Sequence, residues 1–391
     1  MEDLAGYRGK ALAFLKKADA KVGDVLEVKT KWGPVTGTLV PRYATEDELH
    51  VVLKLSTGYN VGLEVGGLTE ARVKSKGEKP SFNPPPLPKA RGGMPRVLVL
   101  GTGGTIASRI DYRTGAVTPA VSSGELHALI PELSDIARIE PEILFSVLSE
   151  DIKPSHWSAI ARRVAEAVEG GVDGVVVTHG TDTMGYTAAA LSFALAGVPV
   201  PVVLVGAQRS SDRPSSDATL NLIGGVSVAA KGPFAGVYVA MHLNESDDKI
   251  AFHRGTRVRK NHTSRRDAFT SVGVPLAAVW GRDGLVDVDE GLPPRRKTAL
   301  APRTAFDEKV SLLKFYPSMP ASTVDSAREA GARALVIEGT GLGHTSRDLT
   351  GSLERYIEGG GLVFMTSQCI NGRVDMNVYE NGRDLLRAGV V

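Results

Sequence analysis

The 391-residue chain has a single cysteine, Cys369, which excludes an internal disulfide and a cysteine metal cluster. It has no uninterrupted apolar run near the roughly 18–20 residues that a membrane span needs. Residues 1–20 carry acids and lysines throughout with no long apolar core, so no signal peptide is read there, and a soluble, cytoplasmic protein is expected. Net charge is nearly absent, at +2, which neither demands nor forbids a nucleic-acid partner because a local patch can hide in a neutral total. No GxxxxGK[ST] segment occurs, so ATP binding through a P-loop is not expected, and the GxSxG elbow of serine hydrolases is missing as well.

What is present is an ordinary globular composition, 42% hydrophobic, enough for two or three domains. Leu4, Tyr7, Ala11, Leu15 and Ala18 recur at helical spacing. Four partly alternating segments follow, GDVLEVKT, TGTLVPRY, ELHVVLKL and YNVGLEV, with tight turns expected at Gly33-Pro34 and Thr57-Gly58. They predict a small all-β domain, a barrel of SH3-like type or a roll, over residues 1–75 and ending near Val73. Residues 76–95 are proline-rich and read as a stiff linker rather than as a docking ligand. From residue 96 to 290 strands alternate with helices, which predicts an α/β domain with a parallel sheet covered on both faces. The stretch 286–308 loses apolar periodicity, placing an inter-domain linker at 291–309. A smaller α/β domain spans 310–391, with strands in KVSLLKFY, ARALVIEG and GGLVFMTS.

Two strand-end turns share one design. The apolar run Val97–Leu100 ends in Gly101-Thr102-Gly103-Gly104-Thr105, and Gly174–Val177 ends in Thr178-His179-Gly180-Thr181-Asp182-Thr183. In open α/β sheets ligands bind at such strand ends. Each turn offers hydroxyls beside backbone N–H groups that can bind a carboxylate or an oxyanion. A threonine becomes a nucleophile once a base takes its proton, and a buried lysine suits that role. Capping alone also explains Gly/Thr turns, so neither turn by itself fixes a function. His179 has no second ligand at metal spacing and reads as a structural, hydrogen-bonded residue. A dinucleotide fingerprint fails at Ile106, where glycine or alanine is required.

Taken together, TGGTIAS at 102–108 and HGTDTM at 179–184 resemble the paired signatures of the bacterial-type L-asparaginase/glutaminase family, and the similarity runs from about Arg96 to the chain end. The resemblance implies a two-domain α/β body with parallel sheets and a homodimer formed through it. It implies Thr105 as nucleophile, Tyr112 as a lid tyrosine, and Thr181 with Asp182 and Lys260 as a proton relay. It also implies Ser149 and Glu150, together with Gly104 and Gly180, as the substrate-binding set, with no metal. Which threonine attacks first stays open at this level, with Thr105 favoured. Where the family places an Asn and a Glu from a neighbouring subunit or small domain, this chain has His344 and Tyr379, and those roles are not carried over.

Residues 1–95 have no place in a plain asparaginase. A small β-domain, a proline-rich linker and an asparaginase-like body, with GDVLEVKTKWGPVTGTLVPR and GAQRSSDRPSSDA, are similar to the asparaginase-type subunits of archaeal-type glutamyl-tRNA(Gln) amidotransferases. That resemblance implies ammonia drawn from glutamine or asparagine and passed to a partner of the GatE type. The partner would hold most of the tRNA(Gln) contact and use ATP and Mg²⁺, leaving this chain without a bound cofactor. It also implies a further C-terminal segment, so that the chain reads as truncated after Val391. The alternatives are a free-standing cytoplasmic L-asparaginase, and a tRNA- or protein-binding module on an inactive fold. Retention of Thr105, Thr181, Asp182 and Lys260 together speaks against the last.

Overall fold

The computed structural model describes residues 4, 6–42, 47–56, 60–77, 93–104, 108–111, 116–119, 130–209 and 216–391. The expected nucleophile Thr105, the lid residue Tyr112, the Thr57-Gly58 turn and most of the proline-rich linker lie outside them.

The amino-terminal domain opens with α1 (Gly9–Lys17), which begins later than its periodicity suggests because Gly6 takes a φ of 81°. Then come β1 (Val25–Thr30), β2 (Gly33–Leu39), β3 (His50–Lys54), β4 (Asn60–Glu64) and β5 (Leu68–Ser75). They form one antiparallel sheet in the order β4-β3-β2-β1-β5, so β4 and β5 are its edges. The alternation of the sequence is met: Leu26, Val28, Leu39, Val51 and Leu53 are fully buried under Ala11 and Leu15 of α1. The hairpin turn is Lys31-Trp32, two residues earlier than expected, since Thr30 pairs with Gly33 and Pro34 lies within β2. A proline is tolerated there because β2 does not meet β3 until Thr38.

The central body begins with β6 (Arg96–Gly101), the hairpin β7 (Ser108–Asp111) and β8 (Ala116–Pro119), the short α2 (Leu133–Ile136) and β9 (Arg138–Ile143). It continues with α3 (Pro154–Glu169), β10 (Gly174–Thr178), α4 (Met184–Ala194), β11 (Pro201–Val205), α5 (Ala218–Lys231) and β12 (Gly236–His242). The strands β13 (Lys249–Arg254), β14 (Val258–Lys260), β15 (Phe269–Ser271), β16 (Ala278–Gly281) and β17 (Gly284–Val288) complete it. Its eight-stranded sheet has the order β17-β16-β13-β12-β11-β10-β6-β9. The expectation of a parallel sheet holds for β9, β6, β10, β11 and β12, but β13, β16 and β17 join antiparallel. Short connections such as residues 243–248 leave no room for the crossover helix that parallel pairing needs. Strand β17 runs to Val288, into the stretch where apolar periodicity fades.

Alternate residues of the parallel strands face opposite layers. Leu98, Leu100, Val175 and Val177 pack beneath α3 and α4, whereas Val97, Val99, Val176 and Val203 pack beneath α5. Each fully buried valine or leucine contributes about 1.5–3 kcal/mol, and the two-sided burial accounts for runs with no polar alternation. From β6 the chain crosses to β9 on one side and then to β10 on the other. The carboxyl ends of β6 and β10 therefore flank a topological switch point, the crevice where open α/β sheets bind ligands.

The small domain places β18 (Val310–Lys314), β19 (Ala334–Gly339) and β20 (Leu362–Ser367) in a three-stranded parallel sheet, with α6 (Ser322–Glu329), α7 (Thr350–Glu358) and α8 (Glu380–Arg387). Its core gathers Leu335, Ile337, Leu353, Val363 and Leu385. Among the described residues no helix is long and apolar enough to cross a membrane.

His253 on β13 is buried, with Nδ1 2.9 Å from Ser271 Oγ, and burial pushes its pKa down from 6.5 to about 4. The folded chain keeps this ring neutral, so between those values the unfolded chain binds more protons. Its contribution to stability is complete above pH 6.5 and is lost as pH falls through that window, by about 3 kcal/mol at the acid end. The urea midpoint is expected to be lower at pH 4.5 than at pH 7, and His253→Gln should shrink that difference.

Candidate active site

Turns converge at the switch point, and at Gly104 and Gly180 they meet in contacts that leave no room for a side chain. After β6, Thr102 folds back, donating its N–H (3.2 Å) and its hydroxyl (2.8 Å) to the Thr178 carbonyl. This threonine is buried and its hydroxyl is spent on the Thr178 carbonyl, so it holds the turn in place. Gly104 follows at φ 77°, where a Cβ would stand 3.1 Å from the backbone of His179 and Gly180. At Gly180 a Cβ would come within 2.8 Å of Ser149 Cβ. Gly180→Ala should therefore push the Ser149 turn away and cost about 10²-fold in turnover with the fold intact, measurable by steady-state kinetics beside a thermal melt.

His179 anchors this arrangement from below. Its Nδ1 lies 2.6 Å from the Gly180 carbonyl, which can only accept, so the proton is on Nδ1. The opposite nitrogen accepts from the Thr187 hydroxyl at 2.9 Å, and Thr187 in turn accepts from Trp157 Nε1 at 3.0 Å. Burial pushes the ring's pKa down, in keeping with a neutral structural imidazole, as the sequence implies. Among the described residues no group of three His, Cys, Asp or Glu is placed to hold a metal.

Above this anchor, Thr181 is nearly buried and Asp182 is exposed. Lys260, 79 positions further on, ends β14 and pairs with Phe269 of β15. The hairpin lays its side chain across the switch point. Its Nζ donates to Thr181 Oγ1 at 2.9 Å and to Asp182 Oδ1 at 2.8 Å, and only 13% of the lysine side chain is exposed. A lysine held in this way, bonded directly to a threonine hydroxyl, is positioned to exchange a proton with it.

On the neighbouring turn Ser149 is buried, with its hydroxyl 3.3 Å from Glu150 Oε2. Its carbonyl accepts from Thr183 Oγ1 at 2.6 Å, which ties the two turns together. The fold thus brings Gly104, Ser149, Glu150, Gly180, Thr181, Asp182 and Lys260 to one crevice, with Thr105 next in sequence to Gly104. His344 and Tyr379 lie in the small domain, where their rings meet edge to face at 5.5 Å. The anchor formed by Thr187 and Trp157 was not legible from the sequence, because neither residue belongs to a turn motif.

Residues 96–290 match the family described as asparaginase, N-terminal; residues 309–391 match the glutaminase/asparaginase C-terminal domain; and residues 20–73 match the GatD N-terminal domain. The chain is 47% identical to the D-type subunit of the glutamyl-tRNA(Gln) amidotransferase of Metallosphaera sedula, over 99% of this chain and 88% of that one. It is also 47% identical to the corresponding D-type subunit of Pyrococcus furiosus, over 97% and 87%. Among solved structures it is similar to the thermostable L-asparaginase from Thermococcus kodakarensis, with a TM-score of 0.66 and 33% identity over 76% of this chain and 87% of that one. L-asparaginase I from Vibrio cholerae gives a TM-score of 0.65 at 25% identity, with the same coverage. The resemblance read from the two turns and the amino-terminal layout is met on both counts: the chain belongs to the GatD family of glutamyl-tRNA(Gln) amidotransferase subunits.

Proposed function

We propose that this chain is the ammonia-producing subunit of a glutamyl-tRNA(Gln) amidotransferase, releasing ammonia from the side-chain amide of glutamine or asparagine. The observation that carries the reading is Lys260 Nζ bonded to both Thr181 Oγ1 and Asp182 Oδ1, beside the turn that leads into Thr105. In this mechanism the Thr105 hydroxyl attacks the amide carbon, and its proton passes to the Thr181–Lys260 pair. The C–N bond breaks as that proton is delivered to the leaving nitrogen, which departs as ammonia. Water then hydrolyses the threonine ester, returning the side-chain carboxylate and the free enzyme. Backbone N–H groups of the glycine turns stabilise the oxyanion, and Ser149 with Glu150 holds the α-amino and α-carboxylate groups. Tyr112 closes over the substrate.

The released ammonia is taken up by a GatE-type partner that binds the misacylated tRNA(Gln), activating its glutamate with ATP and Mg²⁺. The sequence has no P-loop, which agrees with that division of labour. Two copies of the asparaginase-like body pair as a homodimer, and two partner subunits complete the assembly.

The test is ammonia release from glutamine by the chain alone and with a GatE-type partner, with and without tRNA(Gln) carrying glutamate. Release that rises with partner and charged tRNA supports the reading. Equal activity in every case would identify a free-standing asparaginase or glutaminase instead.

A further inference from the structure

Behind Thr181 runs the turn that follows β11, and the two are in direct contact. A Cβ on Gly206 would stand 2.7 Å from Thr181 Cγ2 and 2.9 Å from the His179 carbonyl, so Thr181 sits where this turn lets it. Side chains from the start of α5 hold the turn. Asp217 has no exposed surface; its carboxylate accepts the N–H of Gln208 at 3.0 Å to each oxygen and the N–H of Arg209 at 3.0 Å. One helical turn on, the buried Asn221 donates from Nδ2 to the Gly206 carbonyl at 2.9 Å and to Asp217 Oδ2 at 3.1 Å.

Those two bonds fix which way the Asn221 amide points, because both use its donor end. Its Oδ1 then faces His242 at the end of β12, and His242 Nδ1 donates to it at 2.7 Å. On the far side of the ring, Nε2 lies 3.2 Å from Asp247 Oδ1, and Asp247 also takes the Arg266 guanidinium. Arg266 belongs to the loop between β14 and β15, the hairpin that carries Lys260. Asp217, Asn221 and His242, all buried, and then the exposed Asp247 with Arg266 thus link the back of Thr181 to the hairpin of the lysine that bonds it.

We propose that Asn221, with its amide orientation fixed by Asp217 and His242, is the positioning residue for Thr181, acting through the Gly206 carbonyl. None of these groups reaches the crevice, so their effect on chemistry is indirect. The contact they protect is a demanding one. A lysine and a threonine from distant segments must meet at 2.9 Å, and a displacement on the order of 1 Å at a reacting centre can cost 10²-fold in rate. The catalytic consequence rests on the amide-hydrolysis reading of the site given above.

The test compares Asn221→Leu, His242→Leu and His242→Asn in the full chain with its partner, measuring ammonia release and thermal unfolding well apart in temperature. His242→Asn retains a donor where Nδ1 stood. Asn221→Leu and His242→Leu are expected to lower kcat by about 10- to 100-fold with KM within about threefold, whereas His242→Asn stays near wild type. In a Lys260→Met background the same changes should cost nothing further, because the contact they serve is already gone. Amide exchange at residues 206–209 should accelerate in both leucine variants. Wild-type kcat in folded His242→Leu and Asn221→Leu, or losses that multiply with Lys260→Met, would overturn the proposal while leaving the amide-hydrolysis reading in place. No ammonia release from wild-type chain, alone or with its partner and charged tRNA, would overturn both.

Discussion

Replacing Lys260 with methionine is expected to lower ammonia release by about 10³-fold while KM changes little, the scale expected when a positioned proton-transfer group is removed. Methionine keeps much of the side chain's length and packing but loses both donor contacts, to Thr181 at 2.9 Å and Asp182 at 2.8 Å. The fold should tolerate it. Asp182 is 69% exposed, and the loss of an ion pair with one solvated partner costs no more than about 1 kcal/mol. Arginine at this position should fail to rescue, because a guanidinium holds its proton at any working pH and cannot act as a base. Steady-state kinetics beside a thermal melt separates the outcomes. Turnover within tenfold of wild type in a folded Lys260→Met protein would remove lysine from the relay.

Thr105→Ala is expected to be the most damaging single change, lowering turnover by about 10⁴-fold or more, since in the proposed mechanism it deletes the attacking atom rather than a group that assists it. Thr105→Ser should recover part of the activity, because it restores a hydroxyl without the methyl group that limits its rotamers. Substrate binding should survive in Thr105→Ala, as Ser149 and Glu150 sit on a separate turn held by Thr183. Isothermal titration with glutamine checks that point. Loss of binding together with turnover would recast Thr105 as a residue of the binding surface.

The parts of the fold that could be read from the sequence are those where one residue type has one use. Val97–Leu100 and Val175–Val177 are apolar at every position because both faces of a covered sheet are buried. Gly104 and Gly180 could be read as turn residues, and the structure supplies the reason: a Cβ at either would press on the neighbouring turn. The antiparallel half of the large sheet was not legible in the same way. Strands β16 and β17 are four and five residues long, too short for a period of two to stand out. Residue spacing also says nothing of the distance between Thr181 and Lys260, which β14–β15 pairing closes. For that pair the family resemblance named the residues and the fold supplied the contact. Asp217 and Asn221 were hidden for another reason: a buried carboxylate and amide at helical spacing resemble an ordinary helix start until their partners are seen.

The central claim is that a threonine of the TGGT turn carries the acyl group, with Thr181 and Lys260 moving its proton. Its most direct test is rapid acid quench of the enzyme during turnover of glutamine or asparagine, followed by peptide mass mapping. The predicted result is an acyl adduct on the peptide containing Thr105, absent in Thr105→Ala and present at lower yield in Lys260→Met. An adduct on Thr181 in the wild-type enzyme, or turnover with full ammonia release in Thr105→Ala, would contradict it.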